Sequence, residues 1–257
     1  MDERWLSKCL DENMTRGTHE REVYTWDKYI IKKRLSRDEN GHNGYVPIYS
    51  AVQQRDENEI LALELVKKYT SVPIPEVVHS GNGFTVFQRF PGVTVDDKET
   101  WEKVTPKQRE AIKLQVQGYI KELIKIPHPS FGVRSLVSNG KLMHNQLPNP
   151  GPFPSTKAFL EAYNGEDVFF GYLIQQIDPD STPVFSHFDW ALSNIVLCPN
   201  MDAVRGVIDW ERACFFPEAG RCVHQMCYKL PGWGTLFDGM EFPKDVGGGD
   251  GREGTAE

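Results

Sequence analysis

The sequence lacks several features that would place it in a class at once. No apolar run among its 257 residues is long enough to span a bilayer, and the amino-terminal stretch has no hydrophobic signal-peptide core. Basic residues are not in excess, since 29 Lys and Arg face 36 Asp and Glu and leave a net charge of -7. A nucleic-acid-binding surface needs a basic face. We therefore expect a cytoplasmic protein that binds neither nucleic acid nor membrane; the sequence leaves the oligomeric state open.

Cysteine is also scarce. The five cysteines are an odd number in a chain of this length, which suits reduced thiols better than a disulfide framework. Three of them lie near a histidine, in the order Cys214, Cys222, His224 and Cys227. The CxxC pairs of structural zinc sites are missing, and a helix through residues 219–229 would scatter these side chains, so we expect no zinc site.

The first part of the chain has the pattern of a small strand-rich unit. Residues 22–35 are predicted to form two strands that meet at Asp27-Lys28, and a helix is predicted from about Arg55 to Tyr69. A short strand is predicted within residues 83–92, where Pro-Gly ends it. We assign residues 1–92 to an N-terminal lobe.

The pattern changes near residue 93 and becomes more helical. Thr105-Pro106 is a typical helix start, and the apolar residues that follow recur on one helical face. These residues are Ile112, Val116, Tyr119, Ile120 and Leu123. A second helix is predicted from residue 155. We assign residues 93–245 to a C-terminal lobe and 246–257 to a disordered tail, and we expect a ligand-binding cleft between the lobes.

Two aspartates stand out because they lie in hydrophobic surroundings. Asp189 and Asp209 both fall in the apolar run 185–213, where an unpaired buried carboxylate is costly. Asn194 follows Asp189 by five residues, and a hairpin over residues 195–208 would return Asp209 to its side. Two carboxylates and an amide suit a hard cation such as Mg²⁺ better than zinc.

This order of residues is that of a kinase catalytic loop and its metal-binding carboxylate. The relevant segments are His187-Phe188-Asp189 with Asn194, then Ile208-Asp209-Trp210-Glu211, then Phe216-Pro217-Glu218. The chain resembles the aminoglycoside phosphotransferase family of kinase-like enzymes, particularly its fungal members, over roughly residues 20 to 230. The resemblance implies an α+β, bilobal protein-kinase-like fold with a small strand-rich N-lobe and a larger helical C-lobe.

The resemblance also implies roles for these residues. Asp189 would be the catalytic residue that accepts or orients the proton of a substrate hydroxyl, while Asn194 and Asp209 would hold Mg²⁺ at the phosphates of ATP. The implied activity is ATP-dependent phosphorylation of a hydroxylated small molecule, such as an amino sugar, an amino alcohol or a secondary metabolite. The alternative is that the aspartates only cap turns or pair with arginines such as Arg205 or Arg212.

The N-lobe should supply further nucleotide-binding residues. Comparison with the family's Val-Ile-Lys-Arg segment indicates Lys32 as the phosphate-binding lysine, with Lys33 as the competitor. Glu59 lies on the apolar face of its helix and needs a cation, which is Lys32 on this interpretation and Arg55 on the alternative one. The backbone from Gln88 through Arg89 to Phe90 would receive adenine, although the same pattern fits a core strand. Gly17-Thr18 is a weak candidate for a loop that covers the nucleotide.

Some features depart from the family pattern. Phe188 and Trp190 are larger than usual in the catalytic loop, and their bulk is expected to narrow the substrate pocket or alter the loop. The region after the metal segment is short for the family, which leaves a catalytically degenerate kinase-like nucleotide- or ligand-binding protein as the main alternative. A protein kinase is disfavoured, because neither Asp-Phe-Gly nor Ala-Pro-Glu occurs.

Overall fold

A computed structural model describes residues 2–17, 20–35, 49–95, 97–128, 132–143, 150–163, 174–227, 230 and 232–244. In chain order the elements are α1 (Asp2–Leu6), β1 (Met14–Gly17), β2 (Arg21–Trp26), β3 (Tyr29–Arg34), α2 (Tyr49–Tyr69), β4 (Val77–Gly81), β5 (Phe84–Gln88), α3 (Lys98–Lys103), α4 (Pro106–Leu123), β6 (Arg134–Ser135), α5 (Thr156–Ala162), β7 (Val184–Ser186), β8 (Ile195–Leu197), β9 (Val204–Val207), β10 (Cys214–Phe216) and α6 (Arg221–Cys227). The tail 246–257 and residue Thr18 lie outside the described residues.

The N-lobe is built on a five-stranded antiparallel sheet with the strand order β1-β2-β3-β5-β4. The predicted hairpin is confirmed: β2 and β3 pair directly, and Asp27 in their turn has a left-handed backbone with φ 54°. Successive side chains of a strand point to opposite faces. On β3, therefore, Ile31 is buried against α1 while Lys32 faces the other side of the sheet, toward α2.

Helix α2 covers that other side of the sheet. It begins at Tyr49, earlier than the predicted start near Arg55, and it ends at Tyr69 as predicted, before the prolines that follow. Its start was predicted too late because the first turns carry no apolar periodicity, which begins only further along the helix. Its buried face includes Val66 and the polar residues Asn58 and Glu59, both of which contact residues of the C-lobe.

Helix α4 is the longest helix among the described residues of the C-lobe. Helix α4 starts at Pro106 with Thr105 as its N-cap, in a reciprocal capping box with Gln108. The predicted apolar face is buried at Ile112, Val116, Ile120 and Leu123, whereas Tyr119 is only partly buried. This face packs in the main hydrophobic core together with β7, β8, β9 and the segment around Trp210. The strands β6, β10 and β7 form a small antiparallel sheet, and β8 pairs with β9.

The chain passes between the lobes next to the β8–β9 hairpin. Val93 and Leu197 exchange backbone hydrogen bonds of 2.9 and 2.8 Å. The approach requires glycine, because a Cβ on Gly92 would lie 2.2 Å from the carbonyl oxygen of Leu197. The lobe boundary between residues 92 and 93 stays a prediction. Within the described residues, no helix combines the length and apolar character needed to cross a membrane.

Candidate active site

The catalytic-loop residues follow directly from strand β7. Phe188 has a left-handed backbone with φ 67°, and its ring is buried against Phe216 at a centroid distance of 4.5 Å and against Gly220. Trp190 is also buried and lies in the main core. The bulk of both residues therefore fills the core below the loop. The expectation that their bulk narrows the substrate pocket or alters the loop stays a prediction.

His187 connects the loop to the segment that carries Asp209. One ring nitrogen, Nε2, lies 2.9 Å from the carbonyl oxygen of Ile208, and Nδ1 accepts from the backbone N–H of Asp189 at 3.3 Å. This pair of contacts fits a neutral ring with the proton on Nε2. Burial lowers the pKa of His187, which favours the same neutral form. These two contacts tie the loop to the segment that carries Asp209.

Asn194 and Asp209 lie side by side because the β8–β9 hairpin returns the chain. Ile195 pairs with Val207, and the N–H of Ile208 donates to the backbone oxygen of Asn194 at 2.9 Å. The side-chain amide of Asn194 donates to the backbone oxygen of Asp189 at 3.0 Å. The hairpin therefore brings these three chain positions together, while the roles of Asp189, Asn194 and Asp209 stay predictions.

Lys32 joins this group from the N-lobe. Its Nζ lies 2.8 and 3.0 Å from the two carboxylate oxygens of Glu59 and 2.6 Å from Oδ1 of Asp209. Lys33 instead pairs with Glu22 at 3.1 Å on the other face of the strand. The geometry thus favours Lys32 over Lys33. It also favours Lys32 over Arg55 as the partner of Glu59, which in addition accepts from the backbone N–H of Trp210 at 3.2 Å.

The electrostatics of this group follow from one ammonium facing two carboxylates. Burial opposes the charge on Lys32, but Asp209 and Glu59 outweigh it and raise the pKa of the ammonium. For Asp209, burial disfavours the anion, but the charge and hydrogen bond of Lys32 prevail and lower the pKa of the carboxyl. Burial raises the pKa of Glu59, with Lys32 opposing the shift. Lys32 is thus held at hydrogen-bond distance by the carboxylates of Glu59 and Asp209 together.

The oxygen atoms at this position fit Mg²⁺. Asn194 uses its amide nitrogen for the loop, so its side-chain oxygen is left for another partner, and Lys32 contacts only Oδ1 of Asp209. Amide and carboxylate oxygens are hard ligands of the type Mg²⁺ takes, usually with water and phosphate completing the shell. Within the described ranges, no three His, Cys, Asp or Glu side chains are grouped so as to hold a metal. A magnesium ion here would therefore depend on phosphate or water for its remaining ligands.

Asp189 remains accessible beside these residues. Its side chain is 19% exposed and lies 3.6 Å from Nη1 of Arg212, whose side chain is 26% exposed. This single long contact with Arg212 is the support that the structure gives to the alternative interpretation, in which Asp189 only pairs with an arginine. Arg205, the other arginine considered, is exposed on β9. Asp209 takes Lys32 as its partner in place of an arginine.

The segment predicted to receive adenine is partly committed to the fold. The N–H of Gln88 donates to the carbonyl of Glu76 at 2.9 Å, and the N–H of Arg89 donates to the carbonyl of Lys28 at 2.8 Å. Phe90 packs its ring against Gly206, where a Cβ would lie 2.3 Å from the ring. These two amides are engaged within the protein, so a nucleotide contact would use other backbone groups. The nucleotide-binding role of Gln88, Arg89 and Phe90 stays a prediction.

The cysteines considered for zinc are poorly suited to it. Cys214 and Cys222 are buried, and burial raises the pKa of both thiols, that of Cys222 to about 12. A metal ligand must be the thiolate, which this burial disfavours. The side chain of Cys227 lies outside the described residues.

Sequence reasoning missed a buried ion cluster next to the site. Glu211, from the quoted Ile-Asp-Trp-Glu segment, contacts Arg21 on β2 and Arg55 on α2. The sequence pattern indicates a role for Asp209 in this segment, but it predicts no partner for Glu211. The signal available was the glutamate itself, which is a second acidic residue within a buried segment and needs a cation.

Comparisons with known proteins identify the family and the fold of the chain. The model of the phosphotransferase enzyme family (APH) matches residues 17–218. The gentamicin complex of APH(2")-IIa is 17% identical with a TM-score of 0.54, and the match covers 86% of this chain and 72% of that one. The GDP and kanamycin complex of APH(2")-IIia is 14% identical with a TM-score of 0.55, over 90% and 78% of the two chains.

A third solved structure, the aminoglycoside phosphotransferase APH(4)-Ia, is 14% identical with a TM-score of 0.52 and covers 88% of this chain and 80% of its own. At such identities the likeness shows the fold, and it confirms the predicted bilobal kinase-like α+β architecture. No curated protein sequence matches the chain. The resemblance to the aminoglycoside phosphotransferase family is confirmed, whereas its fungal type stays a prediction.

Proposed function

The chain belongs to the phosphotransferase enzyme family, and we propose that it transfers a phosphoryl group from ATP to a hydroxyl group of a small molecule, assisted by Mg²⁺. The acceptor class we propose is an amino sugar, an amino alcohol or a hydroxylated secondary metabolite. One observation carries the proposal: Lys32 of the N-lobe contacts both Glu59 and Asp209, and Asn194 and Asp189 lie beside Asp209. Phosphoryl transfer needs this combination of phosphate-binding cation, metal-binding oxygens and an accessible carboxylate.

The ligands of the structurally similar proteins support the substrate classes. APH(2")-Ib was solved with ADP, APH(2")-IIa with streptomycin and ATP, and a variant of APH(4)-Ia with AMP-PNP and hygromycin B. Each contains a nucleotide, and the last two also contain a hydroxylated amine. We extend both ligand classes to this chain as part of the proposal.

In the proposed reaction, Asp189 accepts the proton of the acceptor hydroxyl while the oxygen of that hydroxyl forms a bond to the γ-phosphorus of ATP. The bond from that phosphorus to the bridging oxygen breaks, and ADP leaves with the electron pair. Lys32 binds the phosphates of ATP, and Glu59 orients Lys32 through two hydrogen bonds. Asn194 and Asp209 would hold Mg²⁺, which supplies positive charge to the phosphate oxygens. Because Lys32 contacts Asp209 directly, the proposed phosphate-binding residue and the proposed metal-binding residue lie next to each other at the lobe junction.

The catalytically degenerate alternative is favoured by one contact. Arg212 lies 3.6 Å from Asp189 and offers it an ion pair in place of a substrate hydroxyl. On that alternative the protein binds nucleotide or another ligand without transferring phosphate.

Two measurements on the full chain separate these possibilities. Thermal unfolding is followed with ATP, with and without Mg²⁺, and ADP release is then measured with a panel of hydroxylated amines, with ³¹P NMR identifying the phosphorylated product. Nucleotide-dependent stabilisation together with a phosphorylated acceptor is the expected result. Stabilisation without a phosphorylated product from any acceptor would favour the binding protein, and no stabilisation would count against both.

A further inference from the structure

Glu211 is buried at the junction of the two lobes and is held by two guanidinium groups. Its side chain is 10% exposed, and its oxygens contact Nη1 of Arg21 and, at 3.5 Å, Nη1 of Arg55. The side chains of Arg21 and Arg55 are themselves 9% and 7% exposed. A buried carboxylate without partners would be costly, and two cations from two N-lobe elements satisfy this one. We call Arg21, Arg55 and Glu211 the interlobe ion cluster.

The cluster is anchored on its N-lobe side by further acidic residues. Arg21 contacts Asp56 at 2.5 Å, and Arg55 contacts Glu20. Each arginine is therefore held by one carboxylate of its own lobe and by Glu211 of the other lobe. Because the planar guanidinium groups are bonded at both sides, they fix the position of Glu211 more narrowly than a single flexible cation would.

Glu211 lies on the single turn of 3₁₀-helix, Trp210–Arg212, that directly follows Asp209. In such a turn three successive side chains point in three directions. Trp210 points into the core, Glu211 into the interlobe ion cluster and Arg212 toward Asp189. A displacement of Glu211 would therefore displace the whole turn, and with it Asp209, which immediately precedes the turn.

The backbone of the same turn is also bound by α2. The side-chain amide of Asn58 donates to the carbonyl oxygens of Glu211 and Ala213 at 3.0 and 2.8 Å, while Glu59 accepts from the N–H of Trp210. Asp209 itself has a left-handed backbone with φ 65° and ψ 56°. A residue in that region persists when its surroundings determine it strongly. The contacts from α2 and β2 provide this determination.

We propose that the interlobe ion cluster is a positioning device for Asp209. By fixing the turn that follows Asp209, the cluster holds the Asp209 carboxylate at Lys32 and on the same side as Asn194 before any ligand binds. Glu211, Arg21 and Arg55 are positioning residues in this inference and touch no substrate. The inference rests on the proposed function, since it assigns the cluster to the Mg²⁺–nucleotide site.

The test replaces Glu211 by glutamine, which keeps the shape but removes the charge. Binding of AMP-PNP to the full-length protein is measured by titration calorimetry across a series of Mg²⁺ concentrations. We expect Glu211→Gln to lower the apparent Mg²⁺ affinity by about 10- to 100-fold, the range for residues that orient metal ligands. AMP-PNP binding without Mg²⁺ should change less than binding with Mg²⁺, since Glu211→Gln leaves the contact between Lys32 and Glu59 in place.

Two matched variants separate positioning from stability. Ile112→Val weakens the core on α4, a helix that carries none of the candidate site residues, and should lower the melting temperature without changing the apparent Mg²⁺ affinity. Glu102→Gln removes an exposed glutamate and should change neither quantity. If Glu211→Gln behaves like Ile112→Val, with a lower melting temperature and the Mg²⁺ affinity of the parent, the cluster is only structural and the inference fails.

Arg55→Lys decides the matter should Glu211→Gln not fold. Lysine keeps the charge but loses the fork that contacts Glu211 and Glu20 together, so we expect a smaller loss of Mg²⁺ affinity, about threefold to 10-fold. An unchanged Mg²⁺ affinity in a folded Arg55→Lys protein would overturn the inference. A parent protein that binds no nucleotide would overturn the proposed function first and this inference with it. A parent that binds and transfers phosphate while the variants match its Mg²⁺ affinity would overturn this inference alone.

Discussion

At the scale of single residues, Asp189 is the side chain on which the proposed transfer depends most directly. Asp189→Asn keeps the size of the side chain but removes its ability to take a proton at neutral pH. We expect transfer to fall by about 100- to 10,000-fold, the usual contribution of a general base. Because the side chain is partly exposed and makes one long contact with Arg212, the melting temperature should change little. Product formation and thermal unfolding are the two measurements.

Asp180→Asn is the matched control for that variant, since Asp180 is an exposed aspartate that precedes strand β7. It should retain full transfer activity. Turnover of Asp189→Asn equal to that of Asp180→Asn would remove Asp189 from the mechanism.

Asp209 should carry the metal dependence of nucleotide binding. Asp209→Ala removes the carboxylate that contacts Lys32, so AMP-PNP should bind with nearly the same affinity whether Mg²⁺ is present or absent. Asp209→Asn is the companion variant because asparagine tolerates the left-handed backbone at this position, so that a loss seen in both variants is due to charge rather than to strain. Equal enhancement by Mg²⁺ in the parent and in both variants would contradict the assigned role.

At the scale of elements, the start of α4 depends on a local capping box. Thr105 accepts from the N–H of Gln108, and the Gln108 side chain returns a contact to the backbone N–H of Thr105. Thr105→Ala should lower the free energy of unfolding by about 1 kcal/mol, as typical for loss of an N-cap. Thr105→Ser keeps the hydroxyl and should recover most of it. Urea unfolding of the three proteins measures the difference, and equal stability of the alanine and serine variants would show that the cap contributes nothing.

The elements also show which features are readable from sequence. Helix α4 was predicted correctly because both its signals, the Thr-Pro start and the apolar face, lie within one segment. Asn194 and Asp209 were placed together because a short hairpin joins them. The contacts of Glu211 with Arg21 and Arg55 span 190 and 156 residues of sequence. No local pattern specifies which of many arginines will meet such a glutamate, because the choice depends on how the lobes dock.

The same limit applies to side chains whose direction is set by tertiary packing. Phe188 and Trp190 flank Asp189 in the sequence, and tertiary packing buries them in two different hydrophobic clusters, which no local pattern specifies. The pairing of Lys32 with Asp209 spans 177 residues and was approached only through the resemblance to a known family. Chemistry-bearing residue types were therefore recognisable, whereas their partners across the lobe junction were not.

At the scale of the whole molecule, two buried histidines should make the fold sensitive to mild acid. Burial lowers the pKa of His224 to about 4, and burial also lowers the pKa of His187. In the unfolded chain histidine has a pKa of about 6.5, so between these values the unfolded state binds protons that the folded state does not. The stability due to the neutral histidines is fully present above about pH 6.5 and is lost progressively as the pH falls toward the folded-state pKa.

This linkage predicts a pH-dependent loss of stability that a single variant should reduce. For His224 the loss between pH 7.5 and pH 4.5 is about 2 to 3 kcal/mol, at 1.36 kcal/mol per pKa unit. Urea unfolding at the two pH values should therefore show a smaller pH effect in His224→Gln than in the parent, because glutamine does not titrate. His79→Gln removes a half-buried histidine elsewhere and serves as the control. Equal pH effects in His224→Gln and the parent would mean that His224 takes up its proton as readily in the fold as in the unfolded chain, so that its burial would not carry the acid sensitivity.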